Sequence, residues 1–259
     1  MKRFTKNTLL SLTVALGVCL SSCLDDNEPL PVYSTLGTIN SLEPVTIDTD
    51  TYGIINPLNP SIVASQKVDS IGQRVLANLY LDTKAQQPGH TEASVISLYK
   101  VLTKNANDTR LPGTNRPDFY GNAPIQITGV TISKEHFNVQ FNLLGEDENT
   151  PHRISLLLTD KTVLDESGYL RLDLRHDTNG DNTSTIFWGI ASFTLRSIPE
   201  FSDPACKGVK VYYNSGANPE AYWKVDKKTS QSDKTAFLRM MESSQEVSDE
   251  HSLLAGQLQ

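Results

Sequence analysis

The chain has 259 residues, of which 38% are hydrophobic, 20% are charged and 7% are aromatic, and its formal net charge is −7. This composition is typical of a folded globular protein and excludes both a disordered chain and one that crosses a membrane many times. The acidic balance leaves no surplus of Lys and Arg for phosphates, so no nucleic-acid partner is expected, and three cysteines are too few for a disulfide-stapled miniprotein or a four-cysteine metal site.

Residues 1–22 have the pattern of a bacterial lipoprotein signal peptide. Three cationic side chains among the first six residues precede Leu9–Leu20, an apolar run of 12 residues. This run is shorter than the roughly 20 residues that a transmembrane helix needs. The sequence Leu20-Ser21-Ser22-Cys23 resembles a lipobox, so we expect cleavage before Cys23 and lipidation of its thiol by acyl chains such as palmitate. The alternative is an ordinary secretory signal with an incidental cysteine.

Cleavage would change the charge and the cysteine count of the mature chain. It removes Cys19 with three cations and no anions, which leaves 237 of the 259 residues and a formal charge of about −10. With Cys23 lipidated, Cys206 is the remaining thiol, so no intramolecular disulfide is expected. The tether, residues 23–33, includes Leu24-Asp25-Asp26-Asn27-Glu28, which resembles the surface-export signal of lipoproteins from Bacteroidetes-like bacteria. The expected location is the outer membrane, at the cell surface or on the periplasmic face.

Residues 34–112 have the pattern of a small β-domain. Runs rich in Val, Ile, Tyr, Thr and Leu, separated by Pro, Gly and Asn clusters, predict four strands: Ser34–Leu42, Val45–Asp50, Gln73–Leu81 and Ala93–Leu102. Both alternating faces of Gln73–Leu81 carry apolar side chains, so this strand is expected to be covered on both sides. Four or five such strands suit an OB-like small barrel, and half of a β-sandwich is the alternative.

Residues 117–226 predict a second domain, an antiparallel β-sandwich. Breakers between Thr103 and Asp118 mark the boundary, and strands then follow at roughly ten-residue spacing: Ile125–Ile132, Phe137–Leu144, Arg153–Thr159, Tyr169–Arg175, Thr185–Leu195 and Gly208–Tyr213. Alternation in Phe137–Leu144 predicts a buried face and a wet face, with Asn138, Gln140 and Asn142 on the wet one. A change of apolar phase near Gly189 predicts a β-bulge.

The polar residues 227–259 predict a C-terminal tail. Ser232 could cap a short helix that ends near Met241, but little of this segment is apolar enough to be buried. We therefore expect a frayed terminus, with a helix that contacts a partner as the alternative.

One loop carries the spacing of a calcium site. Asp177, Asn179 and Asp181 stand at positions 1, 3 and 5, from which alternate oxygens could reach one cation. Gly180 falls at position 4 instead of 6, and Trp188 stands at position 12, where a bidentate Glu is needed. Asn179-Gly180 also fits a two-residue hairpin turn, which is the favoured interpretation, with a metal site as the alternative.

Catalytic residues are not evident. His152 and His176 share the phase of core-facing leucines at strand ends, where they could pair with Asp160 or Asp165 as acid and base, or could instead satisfy backbone carbonyls. The Gly-x-Ser-x-Gly and His-Glu-x-x-His motifs and a phosphate-cradling glycine loop do not occur. The thiol of Cys206 has a neighbouring lysine, which could lower its pKa, but no evident base. We assign no catalytic residue and no cofactor.

Aromatic side chains near the C-terminal end of the sandwich are the other candidate site. They are Tyr212, Tyr213, Tyr222 and Trp223. Exposed rings could stack on sugars or anchor a protein partner, whereas the alternative is packing in the core. Because successive residues of a strand point to opposite faces, one of Tyr212 and Tyr213 must face the core.

Several segments, in this order, resemble NigD-like lipoproteins. They are the lipobox, the acidic tether, Gly72-Gln73-Arg74-Val75, Ser97-Leu98-Tyr99-Lys100-Val101-Leu102-Thr103-Lys104, His152-Arg153-Ile154-Ser155-Leu156 and Leu172-Asp173-Leu174-Arg175-His176. The resemblance covers about residues 1–225 and implies an OB domain followed by a β-sandwich. The family is named for a gene beside a bacteriocin gene, which implies a role in bacteriocin production or immunity. It supplies no catalytic residues, and the polar extension departs from it.

These observations favour a non-enzymatic, lipid-anchored envelope protein whose two β-domains bind a protein, a peptide or a glycan. Two alternatives stay open. One is an envelope enzyme, for example a carbohydrate-active one with an unrecognised carboxylate pair. The other is a structural subunit of an outer-membrane assembly.

Overall fold

The first β-domain is a closed barrel. The structure is a computed structural model that describes residues 31–87, 90–146, 150–182, 184–227, 252–253 and 258–259. Five strands close the barrel in the order β1-β2-β3-β5-β4. Its elements are β1 (Tyr33–Leu42), β2 (Val45–Thr49), β3 (Gly53–Pro57), α1 (Ser61–Ser65), β4 (Arg74–Gln87) and β5 (His90–Lys100). The predicted OB-like barrel is confirmed.

Strand β4 is covered on both faces, as its sequence predicted. Val75, Ala77 and Leu79 point into the barrel core, whereas Leu76 packs outside it against residues of the second domain. The barrel also depends on a close approach between β1 and β2. A Cβ atom at Gly37 would lie 2.8 Å from Ile47 Cγ2, so a larger residue would push the two strands apart.

The second β-domain is a sandwich of two five-stranded sheets. One sheet has the order β14-β13-β11-β10-β7, and the other has the order β15-β12-β9-β8 with β6 also paired to β12. The strands are β6 (Leu102–Lys104), β7 (Asn107–Asp108), β8 (Gln126–Ile132), β9 (His136–Gly145), β10 (Arg153–Leu158), β11 (Tyr169–Asp177), β12 (Thr185–Thr194), β13 (Gly208–Tyr213), β14 (Ala221–Asp226) and β15 (Ser252–Leu253). The predicted sandwich is confirmed, although four of its strand pairings are parallel: β6 with β12, β7 with β10, β11 with β13 and β12 with β15.

Helical structure is scarce. Besides α1, the described residues include three short 3-10 helices at Pro117–Tyr120, Leu195–Ser197 and Pro199–Ser202. Within the described part of the chain, no helix has the length and apolar character that crossing a membrane requires.

Strand pairing assigns two short segments to a different domain from the one that the sequence predicted. The barrel ends with β5 at Lys100, and β6 and β7 then pair with β12 and β10 of the sandwich. Leu102–Lys104 and Asn107–Asp108 therefore lie in the sandwich, although the sequence placed them in the first domain. The residue limits 34–112 and 117–226 otherwise stay a prediction.

The outer face of β9 is buried at Asn138 and Gln140, so the prediction of a wet face is wrong at these two positions, whereas Asn142 is half-buried. Asn138 and Gln140 are both fully buried. The barrel covers this face, because Leu36, Leu76 and Val101 of the barrel cluster with Trp188 and Ile190 of the adjacent strand β12. Polar side chains on alternate positions therefore mark a contact between domains here instead of a contact with solvent.

Burial by the barrel also explains the change of apolar phase in β12. This strand pairs with β9 without a register shift from Thr185 to Thr194, so the predicted bulge near Gly189 is wrong. Phe187 and Phe193 belong to the sandwich core, whereas Trp188 faces the barrel. Both faces of β12 are apolar because each packs against a different core.

The described C-terminal residues pack on the sandwich, so the prediction of a free tail is wrong for them. β15 runs parallel to Trp188–Gly189, and Leu258 is buried in the sandwich core. The Gln259 N–H donates to the His152 carbonyl (2.8 Å), and the Ile154 N–H donates to the Gln259 carbonyl (2.9 Å). The predicted helix from Ser232 to Met241 lies outside the described residues.

Candidate functional site

Two of the four aromatic residues that were predicted to contact a ligand lie on the same outer surface of the sandwich. Tyr212 on β13 and Tyr222 on β14 are cross-strand partners whose ring centroids lie 5.3 Å apart at an interplanar angle of 35°. Tyr222 is 54% exposed. Tyr213 and Trp223 point to the opposite side and pack in or against the sandwich core. A role of any of the four residues in ligand binding stays a prediction.

Cationic side chains cover the outward tyrosines. Arg171 Cζ lies 3.8 Å from the ring centre of Tyr212, and Lys210 Nζ lies 5.6 Å from that of Tyr222. Lys224 Nζ lies 4.1 Å from the ring centre of Tyr169. Such cation–π contacts hold long side chains against the sheet. We call the surface formed by these six residues the tyrosine face.

Carboxylates at the margin of the tyrosine face fix its cations. Asp173 and Glu220 accept hydrogen bonds from Arg171 Nη2 at 2.9 and 2.8 Å. Asp165 accepts one from Lys210 Nζ at 2.6 Å, and this bond lowers the pKa of the Asp165 carboxyl to about 2. Asp165 therefore pairs with Lys210. It does not pair with a histidine, which was one of the hypotheses drawn from the sequence.

The two singled-out histidines form one buried chain of hydrogen bonds. His152 Nδ1 lies 2.8 Å from His176 Nε2, and the rings stack with centroids 5.1 Å apart. His176 Nδ1 lies 2.9 Å from the Pro124 carbonyl, and His152 Nε2 lies 3.1 Å from Asp181 Oδ2. The histidine partner is thus Asp181, and the prediction of Asp160 or Asp165 is wrong.

The Pro124 carbonyl, at one end of this chain of hydrogen bonds, determines which nitrogen of His176 carries the proton. The Pro124 carbonyl can only accept, so His176 carries its proton on Nδ1 and accepts at Nε2 from His152. Burial lowers the pKa of His176 to about 4, so this ring is neutral at ordinary pH. His152 Nε2 lies at the other end, against Asp181 Oδ2. The two rings therefore link the Pro124 carbonyl on one side to the Asp181 carboxylate on the other.

The His152–Asp181 contact leaves little room for a side chain at Gly145. A Cβ atom at Gly145 would lie 3.0 Å from both His152 Nε2 and Asp181 Oδ2. The Glu146 N–H also donates to Asp181 Oδ2 at 2.8 Å. His152 and His176 are only 2% and 1% exposed, and the cluster ties strand ends together.

The three residues with the spacing of a calcium loop each contact a different partner. Asp177 pairs with Arg153, Asn179 donates to the Pro151 carbonyl, and Asp181 faces His152. Among the described residues, no cluster of three or more His, Cys, Asp or Glu side chains could hold a metal ion. The arrangement gives the calcium hypothesis no support.

The hairpin interpretation of the same loop is wrong. β11 pairs with β10 and β13, whereas β12 belongs to the opposite sheet. Asn179 and Gly180 do have positive φ angles of 51° and 87°, as predicted for a tight turn. The turn therefore carries the chain from one sheet of the sandwich to the other.

Of the two cysteines discussed from the sequence, Cys206 is described by the structure and Cys23 is not. The Cys206 thiol is buried, donates to the Gly208 carbonyl at 3.4 Å, and has a pKa raised by burial. The neighbouring lysine could have lowered this pKa, and the structure shows the opposite direction, so a nucleophilic role lacks its main requirement. Cys23 and its lipidation lie outside the described residues.

A polar network between the two domains was missed by sequence reasoning. Arg74 of the barrel is 1% exposed, and its Nη1 and Nη2 donate to the Asp50 carboxylate at 2.9 and 2.6 Å. Nη2 also donates to Asn138 Oδ1 of the sandwich at 3.1 Å. Asn138 in turn accepts from Ser192 Oγ (2.7 Å) and donates to Thr131 Oγ1 (3.1 Å). We call these five residues the interdomain network.

The chain matches a known family of β-sandwich proteins. The model of the NigD-like C-terminal beta sandwich domain matches residues 78–226, which is more than half of the chain. This range begins within β4 and includes strands β6 to β14 of the sandwich. Among curated proteins, none matches the chain.

Solved structures share the fold at low sequence identity. A protein of unknown function from Bacteroides vulgatus ATCC 8482 is 18% identical with a TM-score of 0.58, over 76% of this chain and 90% of that one. A NigD-like immunity protein from Bacteroides caccae ATCC 43185 is 16% identical with a TM-score of 0.53, over 76% and 92% of the two chains. A protein described as a candidate lipoprotein from Bacteroides fragilis NCTC 9343 is 12% identical with a TM-score of 0.53, over 76% and 99%. These likenesses agree with the family match, and the chain belongs to the NigD-like family.

Proposed function

We propose that this chain is a non-enzymatic lipoprotein of the bacterial outer membrane, anchored through Cys23, that binds a protein partner through the tyrosine face. The observation that carries the proposal is the pair Tyr212 and Tyr222, whose rings contact each other on the outside of the sandwich, with Tyr222 more than half exposed. Tyrosine and arginine are the residues that most often dominate protein interfaces.

The arrangement of the tyrosine face supports a preformed contact surface. Arg171 and Lys210 are already held by carboxylates and by the rings they cover, so binding a partner would immobilise few additional side chains. Neither tyrosine ring is needed to fill the sandwich core. A role in recognition explains why large aromatic side chains lie on the outer face of β13 and β14.

Burial of the reactive groups supports a non-enzymatic role. The His152–His176 chain and the Cys206 thiol are the constellations that most resemble catalytic groups, and all three side chains are shielded from solvent. A catalytic acid or base must come within hydrogen-bond reach of a substrate atom. These groups are better explained as contacts that hold strands together.

The lipobox and the similarity to a candidate lipoprotein support the anchor, and the similarity to a NigD-like immunity protein supports a bacteriocin link. Cys23→Ala tests the anchor. The variant should move from the membrane fraction to the soluble fraction of the cell envelope. Retention of the variant in the membrane fraction would contradict lipidation at this residue.

The tyrosine face is tested by cross-linking and pull-down with the membrane-anchored chain. Tyr222→Ala and Tyr212→Ala should each reduce capture of a partner that the unmodified chain captures. Tyr99→Ala is the matched control, because Tyr99 lies on the barrel and is 43% exposed. Equal loss with all three variants, or with none, would contradict a specific role for this face.

The immunity hypothesis has its own test. Deletion of the gene should sensitise cells to a cognate bacteriocin, and complementation with the unmodified chain should restore survival. Complementation with Tyr222→Ala should restore less of it. Equal killing of the deletion strain and the parent strain would contradict the immunity role. It would not affect the proposed anchor or the tyrosine face, which are tested separately by Cys23→Ala and by the pull-down.

A further inference from the structure

Strand β14 is an exposed edge of the sheet that carries the tyrosine face. It lies at one end of the order β14-β13-β11-β10-β7, and among the described residues it pairs on one side only, with β13. The other outer strands of the sandwich are short or covered: β6, β7 and β15 have two or three residues each, and most of β8 is buried. β14 has six residues, of which every second one is exposed. The unpaired N–H and C=O groups of such an edge are a template for pairing with another strand.

The backbone of β14 shows which groups this edge leaves open. The Lys227 N–H donates to the Lys207 carbonyl at 2.8 Å, and the Val225 carbonyl lies against the position that a Cβ atom of Gly208 would take. Residues 225 and 227 therefore direct their backbone groups to β13. Because these directions alternate along an antiparallel strand, the residues between them direct their N–H and C=O groups away from the sheet. These residues are Tyr222, Lys224 and Asp226.

The inner side of β14 is apolar but incompletely covered. Its inward side chains pack against the sandwich core and are half-buried, whereas their cross-strand partners on β13 are buried. The half-buried residues are Ala221, Trp223 and Val225, and their partners are Tyr213, Val211 and Val209. An added strand with apolar side chains on this side would remove the exposed apolar surface from water and extend the core.

The outer side of β14 belongs to the tyrosine face and carries a cation without a counter-charge. The two other cations of the face each bond to a carboxylate at its margin. Lys224 Nζ instead lies 4.1 Å from the ring centre of Tyr169, and within the described part of the chain it forms no ion pair. An acidic side chain opposite Lys224 on an added strand would supply the counter-charge, next to the exposed ring of Tyr222.

We propose that the partner of the tyrosine face binds by adding an extended segment to β14 as a further strand. The side chains of this segment alternate: apolar ones lie beside Trp223 on the inner side, and an acidic one lies opposite Lys224 on the outer side. Main-chain hydrogen bonds supply affinity, and the side chains on the two faces select the sequence. This inference rests on the proposed function, which assigns a protein partner to the face, and it specifies the form in which that partner binds.

Blocked synthetic peptides are the probe. In the first peptide, valines alternate with threonines, and one glutamate replaces the central threonine. It carries a fluorescent label and is titrated with the mature chain bearing Cys23→Ala. The anisotropy of the label should rise saturably. A peptide with lysine in place of glutamate should bind about threefold more weakly. A peptide that is N-methylated on the residues that pair with β14 cannot donate the main-chain hydrogen bonds and should not bind.

Amide hydrogen exchange locates the bound peptide. In the free chain, the N–H groups of Tyr222, Lys224 and Asp226 should exchange faster than those of Trp223 and Val225, which are directed to β13. Saturating peptide should slow exchange at the three outward amides and change the other two little. Such an alternating pattern is specific to strand addition, because a ligand that only covers the side chains has no reason to select every second amide.

Lys224→Pro is the variant that separates strand addition from other modes of binding. Proline removes the outward N–H, and an edge strand accepts it at a position whose N–H faces solvent, so peptide binding should weaken about tenfold or more. Lys224→Ala keeps the N–H and loses the charge, so binding should weaken by about threefold only. Lys100→Ala removes a cation from the barrel and is the matched control, which should bind as the unmodified chain does. Denaturant unfolding verifies that each variant is folded.

Several outcomes would overturn the proposal. Slow exchange of the outward amides in the free chain at every protein concentration would show that another segment of the chain, such as residues 228–251, covers the edge. Protection that grows with protein concentration would assign the edge to a second copy of the chain. Unchanged peptide binding in Lys224→Pro, or binding of the N-methylated peptide, would exclude strand addition.

Capture of the natural partner distinguishes failure of this inference from failure of the proposed function. If Tyr222→Ala reduces capture and Lys224→Pro does not, the partner binds the tyrosine face without adding a strand. The inference then fails while the proposed function stands. If neither variant reduces capture, the tyrosine face is not the binding surface, and both fail.

Discussion

Asn138 and Gln140 are successive outward positions on the same face of β9, and the two amides are used differently. In the interdomain network, Arg74 Nε is the one buried side-chain nitrogen without a partner, and Asn138 is bonded on both sides of its amide. Among the described residues, Gln140 has no hydrogen-bond partner on either side of its amide. Burial of polar groups therefore has two outcomes on this face: at Asn138 hydrogen bonds join the two domains, and at Gln140 the unpartnered amide atoms cost stability.

The largest effect is expected from removing the counter-charge of the network. Asp50→Asn leaves the Arg74 guanidinium buried without a compensating carboxylate, which should lower the free energy of unfolding by about 3 kcal/mol. Chemical denaturation measures this loss. Asp69→Asn is the control, because its ion pair with Lys100 is 3.7 Å long and solvent-exposed, so its removal should lower the free energy of unfolding far less than Asp50→Asn does. Similar losses for the two variants would mean that Arg74 does not depend on Asp50.

Acid should weaken the same region. Burial, with the charges of Arg74 and Arg196, lowers the pKa of His136 to about 4. Between pH 6.5 and pH 4 the unfolded chain binds a proton that folded His136 does not, so the free energy of unfolding falls with pH by about 3 kcal/mol across this window. His176, whose pKa is also lowered to about 4, contributes over the same range.

Unfolding curves recorded at several pH values measure that loss. His136→Gln should flatten the dependence on pH by about half, and His136→Gln with His176→Gln should remove most of it. An unchanged slope in the double variant would assign the acid sensitivity to other groups.

Matched amide substitutions test the comparison itself. Asn138→Leu breaks three hydrogen bonds and leaves their partners buried, so it should destabilise the fold by about 2 kcal/mol. Gln140→Leu removes two unpartnered atoms at nearly constant volume, so it should be neutral or stabilising by about 1 kcal/mol. Equal destabilisation by the two leucine substitutions would contradict the distinction between Asn138 and Gln140.

The smallest effect on stability is expected at the tyrosine face. Tyr222→Ala removes a ring that is more than half exposed, so the free energy of unfolding should change by about 0.5 kcal/mol or less. Denaturant midpoints of this variant and of Tyr99→Ala should agree closely. If Tyr222→Ala lowered the free energy of unfolding by several kcal/mol, the ring would be shown to stabilise the sheet. A loss of partner capture by this variant would then have a structural cause.

Alternation along the strands predicted the two β-domains but not how they meet. The pattern of Phe137–Leu144 assigns Phe and Leu to one face correctly, yet it cannot tell whether Asn138 and Gln140 meet water or another domain, because both settings accept amides. The same limit produced the false bulge at Gly189. A sheet buried on both faces has no consistent polar phase.

Local pattern also failed where the outcome depended on distant partners. The Asp177–Asp181 spacing suits a calcium loop, but Arg153 and His152 take up its carboxylates from another strand. Leu258 carries no periodic signal and is buried because it docks beside His152. The pair Tyr212 and Tyr213, in contrast, was resolved correctly into one outward and one inward ring, since that follows from alternation alone.

Arg74 has a consequence for mechanics. Its planar guanidinium is oriented within the barrel by the Asp50 carboxylate, which it meets through two nitrogens, and it reaches Asn138 of the other domain with one of them. Rotation of the barrel about this contact would break the directional bond to Asn138, so the joint between the domains resists twisting. A force applied to the sandwich by a bound partner would be transmitted to the barrel, the domain next in sequence to the predicted anchor, with little slack.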